Sequence, residues 1–232
     1  MPSIKKILHF LGSAGVTAAS VGVLGYGMST QWAFSEMACS ETAGNFTNGS
    51  ATVQYQLFSG EIMRGSCPVF GAEKDFKVLE KLAETGGAPQ ILHAVVIGLL
   101  AMCLLCSAGS ILITLYNSVS NPYETYMGPI GVYTCNSVSA CICLMVLILY
   151  AVNVQVTSMA EDLVKNDIGA SSAVYLTDKT SEFQVGYFLL LPYMGLNLLA
   201  ILIIYLYEHA AYTHRKNQQR PTEDAPKEIM MY

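Results

Sequence analysis

The sequence predicts an all-α membrane fold: four transmembrane helices packed as a bundle, with a small extracellular β-sheet in the first outer loop. Three observations predict it. The stretches 7–29, 91–116, 128–153 and 183–207 contain no Asp, Glu, Lys or Arg. At ~1.5 Å of rise per residue, each is long enough to cross a hydrocarbon core of ~30 Å. The chain is 53% hydrophobic and only 12% charged, about half the charge of a soluble domain. Finally, a period-two pattern lies between two cysteines of the first long loop, the signature of a half-buried strand.

Span one follows Lys5 and Lys6, which resemble a charged leader. Its apolar run of residues 7–29 exceeds the ~7 to 15 residues of a cleaved signal segment, so it is read as a retained span. Gly12, Gly15, Ala19 and Gly22 recur at three-and-four spacing, with Ala18, Gly25 and Ser29 beside them. Small residues on one face let another backbone approach closely. The face is expected to pack within the chain's own bundle or against another membrane protein.

The outer loop, 30–90, holds Cys39 and Cys67, whereas Cys103, Cys106, Cys135, Cys141 and Cys143 all lie within spans two and three. An oxidising exterior and an even count predict one disulfide between Cys39 and Cys67. Val53, Tyr55 and Leu57 alternate with polar residues through Thr52–Phe58, and Trp32–Met37 is the candidate partner strand. Asn45 and Asn48 each open an N-glycosylation triplet. Further on, Phe76, Leu79, Leu82 and Ala83 share a helical face over Glu73–Glu84, and Thr85–Pro89 breaks that helix.

Spans two to four carry few polar groups: His93, Asn136, Ser137 and Asn197. None is a charge near the bilayer centre, as a proton or ion pathway would need. Asn136 and Asn197 are read as interhelical hydrogen-bond partners. The Cys103–Cys106 spacing matches redox and metal motifs, but in a membrane helix cysteine packs as a small hydrophobe. The second outer loop, 154–182, is expected to extend helix three past the membrane before an irregular stretch from Asp167 to Ser181.

Orientation follows from charge. Residues 1–6, 117–127 and 208–232 hold Lys5, Lys6, Arg215, Lys216, Arg220 and Lys227 against five acidic residues; the remaining 6 basic and 12 acidic residues fall in the two long loops. Short basic flanks stay inside, so both termini, including the tail 208–232, are expected to be cytoplasmic. The tail ends in Met230, Met231 and Tyr232, an apolar-x-apolar end of the kind a PDZ domain adds as a strand. His209 and His214 do not align on one helical face, and no Ser-His-Asp set or phosphate loop occurs. Neither an enzyme, a cofactor, a metal site nor nucleic-acid binding is therefore expected. Arg215, Lys216 and Arg220 suit anionic headgroups instead.

Trp32, Cys39, the segment Tyr55-Gln56-Leu57-Phe58-Ser59-Gly60-Glu61 and Cys67 resemble the first outer loop of the clarins, distant relatives of the claudin-like four-pass proteins. The link 117–133, NSVSNPYETYMGPIGVY, is similar to the clarin link into span three. The linker SNPY and the tail Arg215–Pro226 most resemble the third paralogous branch of that family. Gln56 stands where the family has glycine. A claudin-type Gly-Leu-Trp is not present as such, so barrier or pore behaviour is not carried over. The resemblance implies a left-handed four-helix bundle with a small outer sheet, at the plasma membrane. It also implies organisation of membrane microdomains, actin-based projections and sensory-cell synapses. The function expected is a non-enzymatic multipass scaffold in the lipid bilayer, joining other membrane proteins or copies of itself. An accessory subunit of a channel or mechanotransduction complex would share this topology. Current from the purified protein in liposomes would mark a pore, and current altered only on co-expression would mark a subunit.

Overall fold

The computed structural model describes residues 4–40, 49–65, 67, 71–119, 128–168 and 175–218. The elements in chain order are α1 (Ile4–Ser29), β1 (Gln31–Ser40), β2 (Gly49–Gln56), β3 (Ser59–Gly65), β4 (Gly71–Lys77), α2 (Val78–Thr85), α3 (Ala88–Val119), α4 (Gly128–Gln155), α5 (Met159–Ile168), β5 (Tyr175–Phe183), α6 (Val185–Phe188) and α7 (Leu190–Gln218). Four helical segments are long and apolar enough to cross a membrane: Ile4–Ser29, Ala88–Val119, Gly128–Gln155 and Val185–Thr213. The fourth helix runs on to Gln218, past the end expected at residue 207. The first residues of the polar tail are thus helical.

The bundle closes as a ring. α1 packs on α3 and α7, and α4 packs on the same two helices. Its outer surface is apolar, and its interior mixes apolar with small polar side chains. Leu105, Leu112, Ile148, Leu202 and Leu206 are exposed, whereas Ser13, Thr17, Ser107, Ser110, Thr114, Asn136, Ser139 and Asn197 are fully buried. Hydrocarbon outside gives apolar residues no reason to turn inward, and helix association then rests on close packing and hydrogen bonds. Ser13 Oγ donates to the Ala200 carbonyl (3.1 Å), joining α1 to α7. Asn136 Nδ2 donates to Ser110 Oγ (2.8 Å), joining α4 to α3. The Tyr193 hydroxyl on α7 meets Ser107 Oγ of α3 (2.9 Å) and Ser139 Oγ of α4. Asn136 therefore bridges helices as expected, while Asn197 donates to the Tyr193 carbonyl of its own helix (2.9 Å). Ser137 faces outward, and Ser139 takes the interior role.

At one end of the bundle sits a five-stranded sheet in the order β4-β3-β2-β1-β5, antiparallel throughout. Ala51, Val53 and Tyr55 of β2 are buried and alternate with half-buried polar residues, the period-two pattern the sequence predicts. β1 is their partner and Leu57 is buried just beyond the strand. Two expectations are corrected. The helix expected over residues 73–84 is a strand to Lys77 and a helix only from Val78. Phe76 lies opposite Gly60 in the ladder. A Cβ on Gly60 would come 2.6 Å from the Phe76 ring and 2.8 Å from the Gln54 carbonyl oxygen. The ring fills the place of the missing side chain, a cross-strand contact open to Phe76 only in an extended chain. The stretch expected to be irregular from residue 167 onward contains β5, which pairs with β1 through main-chain hydrogen bonds.

Candidate functional site

The sheet and its seat on the bundle gather the motif residues that the sequence singles out. Gln56 ends β2, Leu57 and Phe58 make the turn, and Ser59, Gly60 and Glu61 open β3. The turn is held from below. His93 Nε2 of α3 lies 2.8 Å from the Leu57 carbonyl oxygen, and the Val78 amide of α2 donates to the Phe58 carbonyl (3.0 Å). A helix and a span thus grip two successive carbonyls that a hairpin turn leaves unpaired.

Trp32 is the centre of that seat. It is fully buried, and its indole N–H donates to the Gly27 carbonyl at the end of α1 (2.7 Å). Its ring stands edge-on to Tyr150 of α4, centroids 5.0 Å apart at 72°. A Cβ on Gly186 would fall 2.5 Å from Trp32 Cδ1 and 2.8 Å from the Gln31 carbonyl, so glycine alone lets α6 pass. Phe183 stacks on Tyr187 at 4.3 Å, continuing the aromatic seam. Above it, the Tyr55 hydroxyl donates to Ser35 Oγ (2.9 Å), which meets Ser181 Oγ (2.7 Å), so one chain of hydroxyls crosses β2, β1 and β5. Burial raises the Tyr55 pKa, which keeps its hydroxyl a neutral donor.

The structure joins Cys39, at the end of β1, to Cys67, just past β3, with Cα atoms 5.5 Å apart. Both are buried in the same core cluster as Trp32, Val53 and Leu82. α2 and α5 cover the rest of the sheet's inward face with Val78, Leu82, Met159, Leu163 and Val164. A residue the sequence does not flag ties them down. The side chain of Asp167 on α5 is 3% exposed and meets Arg64 Nε of β3 (3.2 Å) and Lys74 Nζ of β4 (2.9 Å). Asp167→Ala is expected to destabilise the fold by about 1.5 to 3 kcal/mol, the range for hydrogen bonds to a charged group. The readout is thermal melting of the purified protein. An unchanged midpoint would show the two cations to be rehydrated without loss.

The sheet's outward face carries a groove of about 280 Å³ lined by Gln31, Gln54, Gln56, Ser59, Glu61 and Asp75. Gln31 Nε2 donates to Gln54 Oε1 across it (2.8 Å). Among the described residues, no group of three or more His, Cys, Asp or Glu side chains is placed to hold a metal.

The small-residue face of span one is placed outside the bundle. A Cβ added at Gly12, Gly15 or Gly22 would meet nothing within 4 Å, and Ala19 is exposed. The inward face of α1 is the neighbouring stripe of Phe10, Ser13, Thr17, Ser20 and Leu24. Packing of the glycine face inside the bundle is therefore not what the structure shows. Ser13, not a glycine, makes the hydrogen bond to α7 at the Ala200 carbonyl. Asn45, Asn48 and the end Met230, Met231, Tyr232 lie outside the described residues.

The Clarin-2-like family model matches residues 11–192. The chain is 33% identical to clarin-3 of Homo sapiens over 234 residues, covering 100% of both chains. It is 32% identical to clarin-3 of Mus musculus over 241 residues, again covering 100% of each. Similarity to clarin-1 of Homo sapiens is 26% over 200 residues, 81% of this chain and 84% of that one. A family match over most of the length and end-to-end relatives above 30% identity lead to one conclusion: the chain is a multipass membrane protein that belongs to the clarin family.

Proposed function

We propose that the chain is a non-enzymatic scaffold of the plasma membrane, with both termini cytoplasmic and the sheet outside, that gathers other membrane proteins or copies of itself into complexes. One observation carries this reading. The face of Gly12, Gly15, Ala19 and Gly22 is flat, outward-looking and unused by the bundle, so another backbone can approach it at close range. Where lipid tails are as apolar as leucine, close packing is what favours a partner helix over lipid. The cytoplasmic end Met230, Met231, Tyr232 would add a PDZ-type contact beneath the membrane.

The test separates association from folding. Gly22→Leu puts bulk into open space, so the yield and melting temperature of the detergent-purified protein are expected to stay at wild-type values. Lateral association in cells, read by cross-linking or energy transfer between tagged copies and neighbours, is expected to fall several-fold. Unchanged association would remove the helix-one surface from the proposal. Adding one residue after Tyr232 is expected to abolish PDZ pull-down while leaving lateral association intact; equal pull-down would remove that contact.

A further inference from the structure

The seat of the sheet contains two buried polar atoms that no protein group satisfies: His93 Nδ1 and the Tyr150 hydroxyl. Both residues are fully buried. Their rings adjoin, with centroids 6.4 Å apart at 48°. Tyr150 is enclosed on its other sides by Trp32 at 5.0 Å, Tyr187 at 6.0 Å and Phe183 at 6.5 Å. Bulk water does not reach them. A polar atom left unpaired in such surroundings is costly, and two in neighbouring rings call for a common cause.

Their chemistry is complementary. The Leu57 carbonyl oxygen can only accept, so the 2.8 Å contact with His93 Nε2 places the ring hydrogen on Nε2. Nδ1 is then a bare lone pair that needs a donor. The Tyr150 hydroxyl has a hydrogen to give and needs an acceptor. A metal cation at Nδ1 would leave the Tyr150 hydrogen without an acceptor; an anion would suit the hydroxyl and repel the lone pair. One small neutral molecule that donates and accepts answers both.

We propose that His93 and Tyr150 hold a single structural water in the seat of the sheet. It donates to His93 Nδ1 and accepts from the Tyr150 hydroxyl. Such a water has the two or more polar partners that buried waters require. It also has a positioning role. By occupying the Nδ1 lone pair, it holds His93 in the tautomer whose Nε2–H grips the Leu57 carbonyl, and so fixes the β2–β3 hairpin on α3.

The experiment uses the sign of one isosteric change. With a water present, Tyr150→Phe in the full-length protein removes one of the water's partners, and the melting temperature is expected to fall by about 2 to 4 °C. Without it, the same change deletes an unpaired buried hydroxyl, and the melting temperature would stay or rise, which overturns the proposal. Should Tyr150→Phe not be recovered as folded protein, density in an experimental structure decides. A peak within hydrogen-bond distance of both His93 Nδ1 and the Tyr150 oxygen supports the site. An empty space, or direct contact between the two atoms, overturns it.

Discussion

Trp32→Ala is expected to be among the most damaging single changes, costing about 3 to 5 kcal/mol, the range for emptying a buried aromatic site. The indole is fully buried where α1, α4, α6 and the sheet converge. Its removal opens a cavity whose walls are set by main chain. Gly27 offers its carbonyl and Gly186 its bare Cα, and neither can swing in to fill the gap. Trp32→Phe is expected to be milder, at about 1 to 2 kcal/mol, because the Gly27 carbonyl retains the Thr30 amide (3.3 Å) and hydroxyl (3.0 Å) as donors. Melting of the detergent-purified protein measures both. Equal loss in the two variants would assign the effect to the indole hydrogen bond rather than to packing.

The second large effect is expected at the disulfide. Cys39 and Cys67 are 28 residues apart in sequence, and opening a loop of that size costs about 3 to 4 kcal/mol in the chain-entropy model. Cys39→Ala, Cys67→Ala and the double variant are expected to lose the same stability and surface expression, because each single change already breaks the one bond. A double variant clearly worse than both singles would show two independent roles and no bridge. The bond pins the end of β1 to the segment after β3, across β2. Its loss is therefore expected to loosen the far half of the sheet before the half seated on Trp32.

The four spans and the β1–β2 pair could be read from single residues in order, because each answers to a local rule. Hydrocarbon forbids charge over ~20 residues, and a half-buried strand must alternate. β5 escaped that reading for a reason visible in its residues. Thr177, Asp178, Lys179, Thr180, Ser181 and Glu182 show no apolar face, since the strand lies at an edge and is held by main-chain pairing with β1. In the 73–84 segment, Phe76, Leu79 and Leu82 satisfy a helical spacing, yet Phe76 is claimed by Gly60 across the ladder. Asp167 gave no signal at all. Its two cations, Arg64 and Lys74, come from strands about a hundred residues earlier in the chain.

By itself the sequence determined that four apolar helices cross a membrane, that an alternating strand with a candidate partner lies between the first two, and which two cysteines stand apart from the spans. These follow from the solvent each residue must meet. Only the tertiary structure decided which face of α1 turns inward. Ser13, Thr17 and Ser20 lie one or two residues from Gly12, Gly15 and Gly22, and both stripes are small enough for close packing. In a lipid environment hydrophobicity does not distinguish them. The choice falls to partners on other helices: the Ala200 carbonyl accepts from Ser13, and nothing in the bundle comes within reach of the glycines.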